Sequence, residues 1–483
     1  MVASWIMDEL QTADLGDKRL DRRFAEVLSQ LSGQASASIP AACGGYAETA
    51  AAYRLFDNDK ATMEKILAPH QQATRRRMAA HPVVVLVQDT TEIDVTRPEQ
   101  QMTGAGRLDG GPRRGLFLHE LHAFTPEGTA LGTVYQENWT RRDTKPDPRH
   151  RKKYKSLPFE EKETYRWLTT WQQAQATAAE MPQTRMIIVA DSEADIYEVI
   201  VAAQTSSRQL DGIIRAAQDR ATIRSGENQQ KTTEMLLRDR VLATPVLAHQ
   251  DVVVRGRTAK IACEDRGRRQ SRESRLAPTE VRATRVTLRP PHRTSEPLPA
   301  IEMNAVLVSE PSPPKDEPAV EWLLLTSLPI NTLEQVQRVI QLYCVRWMIE
   351  VFFRTLKSGC KVEERRFEDI DRFRTCLAIY MIVAWRTLFA CRLGREFPDM
   401  SCEAIFEPAE WKAAYRVVKQ AKPPDKPPTL KEMIRIIAHL GGYVYRSRAD
   451  EPGPHTVSRG MQRLHDFALA WNTFGPGANH KDV

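Results

Sequence analysis

The sequence predicts a mixed α/β protein, in which a mixed sheet flanked by helices carries a β-rich insertion and lies between helical N-terminal and C-terminal domains. Three observations predict it: amphipathic helical segments up to about residue 79, alternating strand and helix patterns from 83 to about 216, and mostly helical patterns after 332. We expect domains at residues 1–75, 76–395 and 396–483, with the insertion at about 220–325.

Composition and charge limit the classes of protein that this chain can represent. Its 483 residues allow two or three domains, and 41% hydrophobic with 27% charged residues is typical of a soluble globular protein. We find no apolar run near the ~18 residues that span a bilayer and no signal-peptide pattern at the N-terminus. We therefore expect a cytoplasmic protein without a membrane partner. The seven cysteines form no CxxC pair, which predicts free thiols.

The basic residues favour a polyanionic partner. The formal net charge is +7 and the pI is near 9.0. A single basic run is more often a solvated face, but three separate runs favour nucleic acid. These runs are TRRRM at 74–78, RHRKKYK at 149–155 and RGRRQSR at 266–272.

The N-terminal region reads as a small helical domain. Residues 17–32 carry apolar residues at helical spacing behind a basic flank, and Asp17 is a plausible cap. Further helices are predicted at 46–56 and 62–79. Five basic residues of the first two of these helices are the candidates for contact with a nucleic acid: Lys18, Arg19, Arg22, Arg23 and Arg54.

The central region has the element order β, β, β, α, β, α, β. The strand pattern at 83–95 has an apolar half that ends at Asp89, and the segments GLFLHELHAF and TALGTVYQENW form a hairpin around TPEG. A polar helix at 159–179 precedes the buried strand RMIIVA, which ends at Asp191. A helix and the strand DGIIRA follow.

The rest of the chain holds the insertion and the last helices. Strand patterns between 220 and 325 include TAKIACE and EWLLLTS. A long helix is predicted at 332–357, another at 371–394, and two more at 429–440 and 456–472 after a proline-rich linker.

The helix at 332–357 places charged groups among apolar residues. At ~100° per residue, Tyr343, Arg346, Glu350 and Lys357 lie in one stripe, with Arg354 at its border. The simplest interpretation is an ion pair on a solvated face, worth a few tenths of a kcal/mol. The apolar cover is too broad for such a face, and a carboxylate near a core needs a partner.

Two aspartates and this glutamate suggest a metal site. If adjacent strands deliver Asp89 and Asp191 to one edge of the sheet and Glu350 packs across it, the three like charges need cations. Hard oxygen ligands suit two Mg²⁺ ions, with Mn²⁺ as a substitute, in a phosphoryl-transfer reaction. The alternative is that either aspartate is only a turn or capping residue.

Three motifs resemble those of the DDE cut-and-paste transposases of bacterial insertion sequences, the IS-four family. They are QDTTEID at 88–94, DSEADIY at 191–197 and Y-x2-R-x3-E-x6-K at 343–357. The resemblance also covers ADLGDKRLDRRF, AAYRLFDN, EWLLLTS and GGYVYRSR, and so extends over nearly the whole chain. It implies a ribonuclease-H-like core in which Asp89, Asp191 and Glu350 bind metal.

The resemblance also implies further roles. Tyr343, Arg346 and Lys357 would contact phosphates near the scissile bond of double-stranded DNA. Trp322 would stack on a base that is flipped out during hairpin formation, with Arg215 acting in the same step, although a core aromatic is the alternative for Trp322. The family further implies a homodimer that forms around two DNA ends. In this dimer, each active site cuts the DNA end that is held by the N-terminal domain of the partner subunit.

The chain departs from the family pattern in three respects. Ser192 follows the second aspartate where the family usually has Arg, Arg354 replaces a usual Lys, and the insertion is longer. Two alternatives to a transposase remain: a DNA-binding protein or inhibitor without catalysis, and a metal-dependent nuclease of the same fold.

Overall fold

The computed structural model describes most of the chain. The described residues are 2–97, 99–142, 157–207, 209–223, 235–254, 256, 273–292, 297–315, 317–445 and 451–476. The predicted strand TAKIACE and the basic runs at 149–155 and 266–272 lie outside these residues.

Five helices form the N-terminal region. They are α1 (Ser4–Glu9), α2 (Lys18–Gly33), α3 (Ile39–Cys43), α4 (Tyr46–Phe56) and α5 (Met63–Ala79). The predicted helices at 17–32, 46–56 and 62–79 correspond to α2, α4 and α5. Asp17 caps α2 as predicted, because its carboxylate accepts a hydrogen bond of 2.9 Å from the Arg19 amide.

The central sheet has the ribonuclease-H-like arrangement. Strand β4 pairs antiparallel with β3, and β3 pairs antiparallel with β1. On its other side, β1 is followed by two parallel strands, β5 and β6. The strands of this part, with the short edge strand β2, are β1 (Val83–Asp94), β2 (Gly106–Arg107), β3 (Arg114–Phe124), β4 (Ala130–Trp139), β5 (Arg185–Ala190) and β6 (Leu210–Arg215).

Helices cover both faces of this sheet. Helix α6 (Tyr165–Glu180) precedes β5, and α7 (Tyr197–Thr205) connects β5 to β6. Their apolar side chains pack on one face, where Trp167 and Trp171 are fully buried. The parallel pairing of β5 and β6 requires such a crossover helix.

The insertion extends the same sheet. Its last strand pairs antiparallel with β6, with Leu324 opposite Arg215, so that the sheet has 12 strands within the described residues. The elements of the insertion are β7 (Ala221–Ile223), β8 (Met235–Leu236), α8 (Leu237–Leu242), β9 (Ala248–Val254), β10 (Arg275–Leu288), β11 (Ile301–Ser309) and β12 (Glu321–Thr326).

The prediction of one helix over 332–357 is wrong. The chain forms α9 (Leu333–Cys344) and α10 (Trp347–Arg354), followed by a π-helical turn at Thr355–Gly359. The amides of Val345 and Arg346 bond three residues back instead of four, to Leu342 and Tyr343. Such tighter bonds interrupt the regular α-helical pattern, although Val345 and Arg346 both keep right-handed helical φ and ψ angles.

Four further α-helices follow in the part of the chain that the structure describes: α11 (Ile370–Glu396), α12 (Pro408–Lys419), α13 (Leu430–Leu440) and α14 (Pro454–Phe474). Helix α12 was not predicted. Helix α11 is long and apolar enough to cross a membrane, with a mean hydropathy of 1.5 in its most apolar window, but 78% of that window is buried inside the protein. Its sequence is therefore accounted for by its position in the core.

One hydrophobic core joins the N-terminal helices to the catalytic region. Phe24 of α2, Val87 of β1, Phe352 of α10 and Phe373 of α11 belong to it and are fully buried. The domain limits expected at 75 and 395 both fall inside helices, namely α5 and α11. The six cysteines within the described residues are free.

Candidate active site

Asp89 and Asp191 lie side by side at the end of a parallel pair of strands. The register of β1 and β5 pairs Gln88 with Ala190. Asp89 directly follows Gln88, and Asp191 directly follows Ala190. The strand predicted at 83–95 corresponds to β1, which continues past Asp89 to Asp94, because β3 pairs with it on the other side up to that residue. Asp89 marks the point where β5 stops pairing.

Each aspartate also has a local backbone partner. Asp89 Oδ1 accepts a hydrogen bond of 2.7 Å from the Thr90 amide, and Asp191 Oδ1 accepts one of 2.8 Å from the Glu193 amide. Asp191 is therefore the cap of a short 3₁₀ turn at Ser192–Ala194. The capping role proposed as an alternative is present, and it coexists with a position beside a second carboxylate.

Arg346 connects the sheet to helix α10. Its guanidinium donates to Asp89 Oδ2 at 3.4 Å and to Glu350 Oε1 at 2.5 Å. The exposed fraction of the side chain is 13% for Asp89, 16% for Arg346 and 36% for Glu350. One cation thus holds two carboxylates that are remote in sequence, at the edge of the sheet where Asp191 also lies.

The electrostatics of Asp89 show that this edge has too little positive charge. Burial and the neighbouring charge of Asp191 raise the pKa of Asp89 to about 7, with a smaller contribution from Glu350, although Arg346 and the Thr90 amide oppose the shift. For Arg346, burial disfavours the charged form, but Glu350, Tyr343 and Asp89 outweigh it and raise its pKa. A buried carboxyl whose pKa lies near neutrality favours an additional cation.

The donor set fits a hard divalent cation. The three carboxylates supply only oxygen ligands, which suit Mg²⁺ or Mn²⁺ better than zinc. Among the residues that the structure describes, no three His, Cys, Asp or Glu side chains are close enough together to hold a metal ion directly. The carboxylates are therefore assembled at one edge of the sheet, but they must move closer together to share an ion.

Tyr343, Arg215 and Trp322 form a second group next to this edge. The rings of Trp322 and Tyr343 have centroids 5.9 Å apart, and the positive charge of Arg215 acts on the Tyr343 hydroxyl. Burial raises the pKa of Tyr343, and Arg346 and Arg215 reduce the shift. The Arg215 guanidinium also donates to the Glu321 carbonyl at 3.1 Å, which fixes it beside Trp322.

Trp322 is only partly buried and packs against the main core, so the structure combines features of both interpretations of this residue. Its ring contacts the ring of Tyr343, as a core aromatic would. Its side chain also keeps some exposed surface, which a stacking base would need.

Among the described residues, neither Arg354 nor Lys357 forms an ion pair with Asp89, Asp191 or Glu350. Arg354 is exposed on the last turn of α10. Lys357 belongs to the π-helical turn, and its Nζ atom lies 3.9 Å from Glu363 Oε1. Burial lowers the pKa of Lys357, while Glu363 and Glu92 limit the shift.

The N-terminal basic residues are at the surface. Lys18, Arg19, Arg22 and Arg54 are exposed, and Arg23 is about one-third exposed. Arg19 pairs with Asp17, while Arg22 and Arg23 both pair with Glu26. Exposed ion pairs of this kind are weak and can be exchanged for contacts with phosphate.

Three residues near the site were not among the sequence candidates. Trp347, on the first turn of α10 next to Arg346, keeps 50% of its surface exposed. Glu120 and His122 of β3, which lie opposite Asp89 and Val87 of β1, are fully buried. The signal for the last two was visible in GLFLHELHAF, where polar residues occur on both faces of an otherwise apolar strand.

Comparison with known protein families matches three consecutive segments of the chain. Residues 2–61 match Transposase DNA-binding, residues 147–386 match Transposase DDE domain, and residues 382–471 match Transposase Tn5 dimerisation domain. The DDE segment contains Asp191 and Glu350, while Asp89 precedes it. The chain belongs to the DDE transposases, and it carries a transposase DNA-binding region and a dimerisation region.

A solved structure, the cryo-EM structure of a piggyBac transposase synaptic complex with hairpin DNA, aligns over 71% of this chain and 54% of its own length. The aligned sequences are 10% identical and the TM-score is 0.31. At that TM-score the likeness adds nothing to the assignment, which depends on the family matches. Use of a divalent metal ion is a property of the DDE family, in agreement with the carboxylate chemistry described above.

Proposed function

We propose that this transposase binds the terminal sequences of a mobile DNA element, cuts the element out through a hairpin intermediate and joins its 3′ ends to target DNA. The observation that carries the proposal is the contact of Arg346 with both Asp89 and Glu350, beside Asp191. It brings three acidic residues from distant parts of the chain to the edge of a ribonuclease-H-like sheet.

Asp89, Asp191 and Glu350 would hold two divalent ions, which we propose to be Mg²⁺, with Mn²⁺ as a substitute. When bound, such ions activate water or a 3′-hydroxyl and stabilise the leaving oxygen of an in-line displacement at phosphorus. The raised pKa of Asp89 supports this role, because the site is short of positive charge. The same carboxylates serve each step, since cleavage, hairpin formation, hairpin opening and joining are all displacements at phosphorus.

Arg346, Tyr343 and Lys357 would bind the phosphates around the scissile bond. Arg346 presents several N–H donors in a plane, a geometry that suits phosphate as well as carboxylate. The positive charges of Arg346 and Arg215 act on the Tyr343 hydroxyl, which therefore lies in a positive region suited to phosphate. Arg354, which is exposed on the same helix, could contact the phosphate backbone further along.

Trp322 would stack on a base that leaves the duplex when the hairpin forms. Unstacking a base costs a few kcal/mol, and stacking on an aromatic ring returns about 1–3 kcal/mol of it. The position of Trp322 against Tyr343, with Arg215 alongside, supports this role. Arg215 would then neutralise the phosphate of the flipped nucleotide.

We propose that two protomers act together on two DNA ends. The DNA-binding segment at 2–61 and the dimerisation segment at 382–471 support an assembly in which each active site cuts the end held by the partner subunit. Lys18, Arg19, Arg22, Arg23 and Arg54 would contact the terminal sequence. We also propose that the protein acts in the bacterial cytoplasm, on nucleoid DNA.

The decisive experiment uses purified protein, Mg²⁺ and a DNA fragment flanked by candidate inverted repeats. We expect nicked, hairpin and excised products in that order, and joined products whose sequences show a duplication of the target. Cleavage that yields neither hairpins nor joined DNA would identify a nuclease and contradict the proposal. Binding without any cleavage, across candidate ends and with Mg²⁺ or Mn²⁺, would also contradict it.

A further inference from the structure

A buried polar cluster, formed by Glu120, His122 and Thr133, lies next to Asp89 of the proposed metal site. Glu120 faces Asp89 across the antiparallel pair of β1 and β3, and its side chain points to the same face of the sheet. Directly opposite residues of such a pair have Cβ atoms about 4.5–5.5 Å apart. Glu120 is fully buried, so the carboxylate next to Asp89 is a feature of the protein interior.

Two side chains hold Glu120 in place. The Thr133 hydroxyl of β4 donates to Glu120 Oε1 at 2.6 Å, and His122 Nδ1 lies 2.8 Å from the same oxygen. His122 and Thr133 are also fully buried. An ionisable pair without solvent is costly unless its geometry is well supported, so its presence next to the site calls for an explanation beyond packing.

His122 extends the contact to the helix that carries Glu350. Its ring lies between the rings of Phe124 and Phe352, with centroids 4.8 and 4.6 Å away. Phe352 is on α10, two residues after Glu350. The cluster therefore touches both elements that must approach each other, the strand with Asp89 and the helix with Glu350.

We propose that Glu120 and His122 are positioning residues that set the spacing of Asp89 and Glu350 for metal binding, with Thr133 as their anchor. This inference rests on the proposed function. The pair does not bind the ion. It supports the backbone of β1 through the facing position and supports α10 through Phe352, as outer groups commonly do for metal ligands.

Thr133 is also connected to helix α1 by hydrogen bonds that pass through His70. The Thr133 amide donates to His70 Nε2 at 3.1 Å, and His70 Nδ1 lies 2.5 Å from Glu9 Oε1. Since an amide can only donate, Nε2 carries no proton, and Nδ1 donates its proton to Glu9. Arg77 completes the arrangement, because its guanidinium donates to the other Glu9 oxygen at 2.8 Å.

The backbone is adapted to this contact. Gly132, which precedes Thr133, has φ +137°, and a Cβ atom there would overlap Thr74 Oγ1 and lie 3.0 Å from the His70 ring. Only glycine allows β4 to approach α5 so closely. Consecutive hydrogen bonds thus connect helix α1 to strands β4 and β3, next to Asp89. Helix α1 is part of the segment that matches the transposase DNA-binding family.

The test uses nearly isosteric variants and two readouts. Glu120→Gln removes the charge, Thr133→Val removes the hydroxyl, and Thr133→Ser restores it. The matched control is Thr279→Val, since Thr279 is also a buried strand threonine whose hydroxyl donates at 2.6 Å, but it lies on β10 of the insertion. The readouts are Mn²⁺ affinity by calorimetry, in the complex with end DNA that lacks a reactive 3′-hydroxyl, and the rate of the first nick.

We expect Glu120→Gln and Thr133→Val to weaken Mn²⁺ binding by about 10–100-fold, the usual effect of losing an outer group at a metal site. Excess metal should partly restore nicking, and a gel shift should show unchanged DNA binding. Thr133→Ser and Thr279→Val should bind Mn²⁺ as the unmodified protein does.

Unchanged Mn²⁺ affinity in Glu120→Gln and Thr133→Val would overturn the inference, as would an equal loss in Thr279→Val. The variant Asp89→Asn separates this failure from a failure of the proposed function. If Asp89→Asn loses Mn²⁺ while Glu120→Gln does not, only the positioning role is wrong. If Asp89→Asn also retains full affinity, the proposed metal site itself is wrong.

Discussion

Asp89 and Asp191 are neighbours because the last paired residues of two parallel strands, Gln88 and Ala190, are themselves partners. The sheet register alone brings these carboxylates together. Glu350 reaches them from a different layer, through the helix that packs on the same face, and Arg346 links it to Asp89. The acidic group thus depends on one strand register and one helix position.

Neutralising any of the three acids should abolish catalysis without abolishing DNA binding. In Asp89→Asn, Asp191→Asn and Glu350→Gln, we expect the rate of DNA cleavage to fall by at least ~1,000-fold, because each change removes a carboxylate that would bind the metal ions. A gel shift with end DNA should be unchanged, since the DNA-binding segment at 2–61 is untouched. Strand transfer retained in any one of these variants would refute its role as a metal ligand.

The metal-free protein should lose stability as the pH rises. The pKa of Asp89 is raised from 3.8 to about 7, so the folded protein keeps a proton that the unfolded chain releases. The stability that Asp89 contributes is therefore fully present below about pH 4 and is lost as the pH rises towards 7, by up to about 4 kcal/mol at ~1.4 kcal/mol per pKa unit. Chemical denaturation in the presence of a chelator, between pH 5 and 8, measures this loss.

Asp89→Asn should flatten that pH dependence and be more stable than the unmodified protein at pH 8 without metal. Asp251→Asn, a change at an exposed aspartate on β9, serves as the control and should leave the curve as it is. Addition of Mg²⁺ should stabilise the unmodified protein at pH 8 and have little effect on Asp89→Asn. An Asp89→Asn protein with the same pH dependence as the unmodified chain would contradict the charge repulsion described for this site.

Replacing Trp322 should separate nicking from hairpin formation. In Trp322→Ala, we expect normal first-strand nicking and a hairpin rate lower by about 5–150-fold, because a stacking contact of ~1–3 kcal/mol is lost. Trp322→Phe should recover part of that rate. Time courses on denaturing gels measure both steps.

If Trp322 is only a packing residue, Trp322→Ala should lower the melting temperature and slow nicking and hairpin formation equally. The control for packing is Trp171→Phe, since Trp171 is fully buried on the opposite face of the sheet. Hairpins that accumulate at the normal rate in Trp322→Ala would remove the residue from the mechanism.

End binding should weaken steeply with salt, because basic side chains displace counterions from DNA. Each phosphate contact contributes about −0.9 to the slope of log affinity against log salt. We expect Lys18→Gln and Arg22→Gln each to reduce the slope by about that amount, measured by fluorescence anisotropy between 50 and 200 mM salt. Arg285→Gln is the control, because Arg285 is 64% exposed on the insertion strand β10.

A slope unchanged in both α2 variants would show that this face of the helix does not contact phosphate. A loss of affinity for the terminal sequence only, with the slope preserved, would instead assign these side chains to base contacts, since phosphate contacts carry no sequence information directly.

Sequence patterns determined the secondary structure and the identity of the acidic residues, because hydrophobic periodicity and motif spacing are local properties of the chain. The strand and helix order of the core, the cap at Asp17 and the family itself could all be predicted in this way. The break between α9 and α10 could not, because it depends on bonds that close three residues back at Arg346.

Tertiary structure alone decided which buried partners surround those acids. No pattern in the sequence pairs Asp89 with Glu120, or Thr133 with His70, because such contacts follow from strand register and from the close approach of β4 to α5. It also decided that Lys357 faces Glu363. Local patterns specify which groups are available, while packing between distant segments sets which charges are buried together and therefore what chemistry they can support.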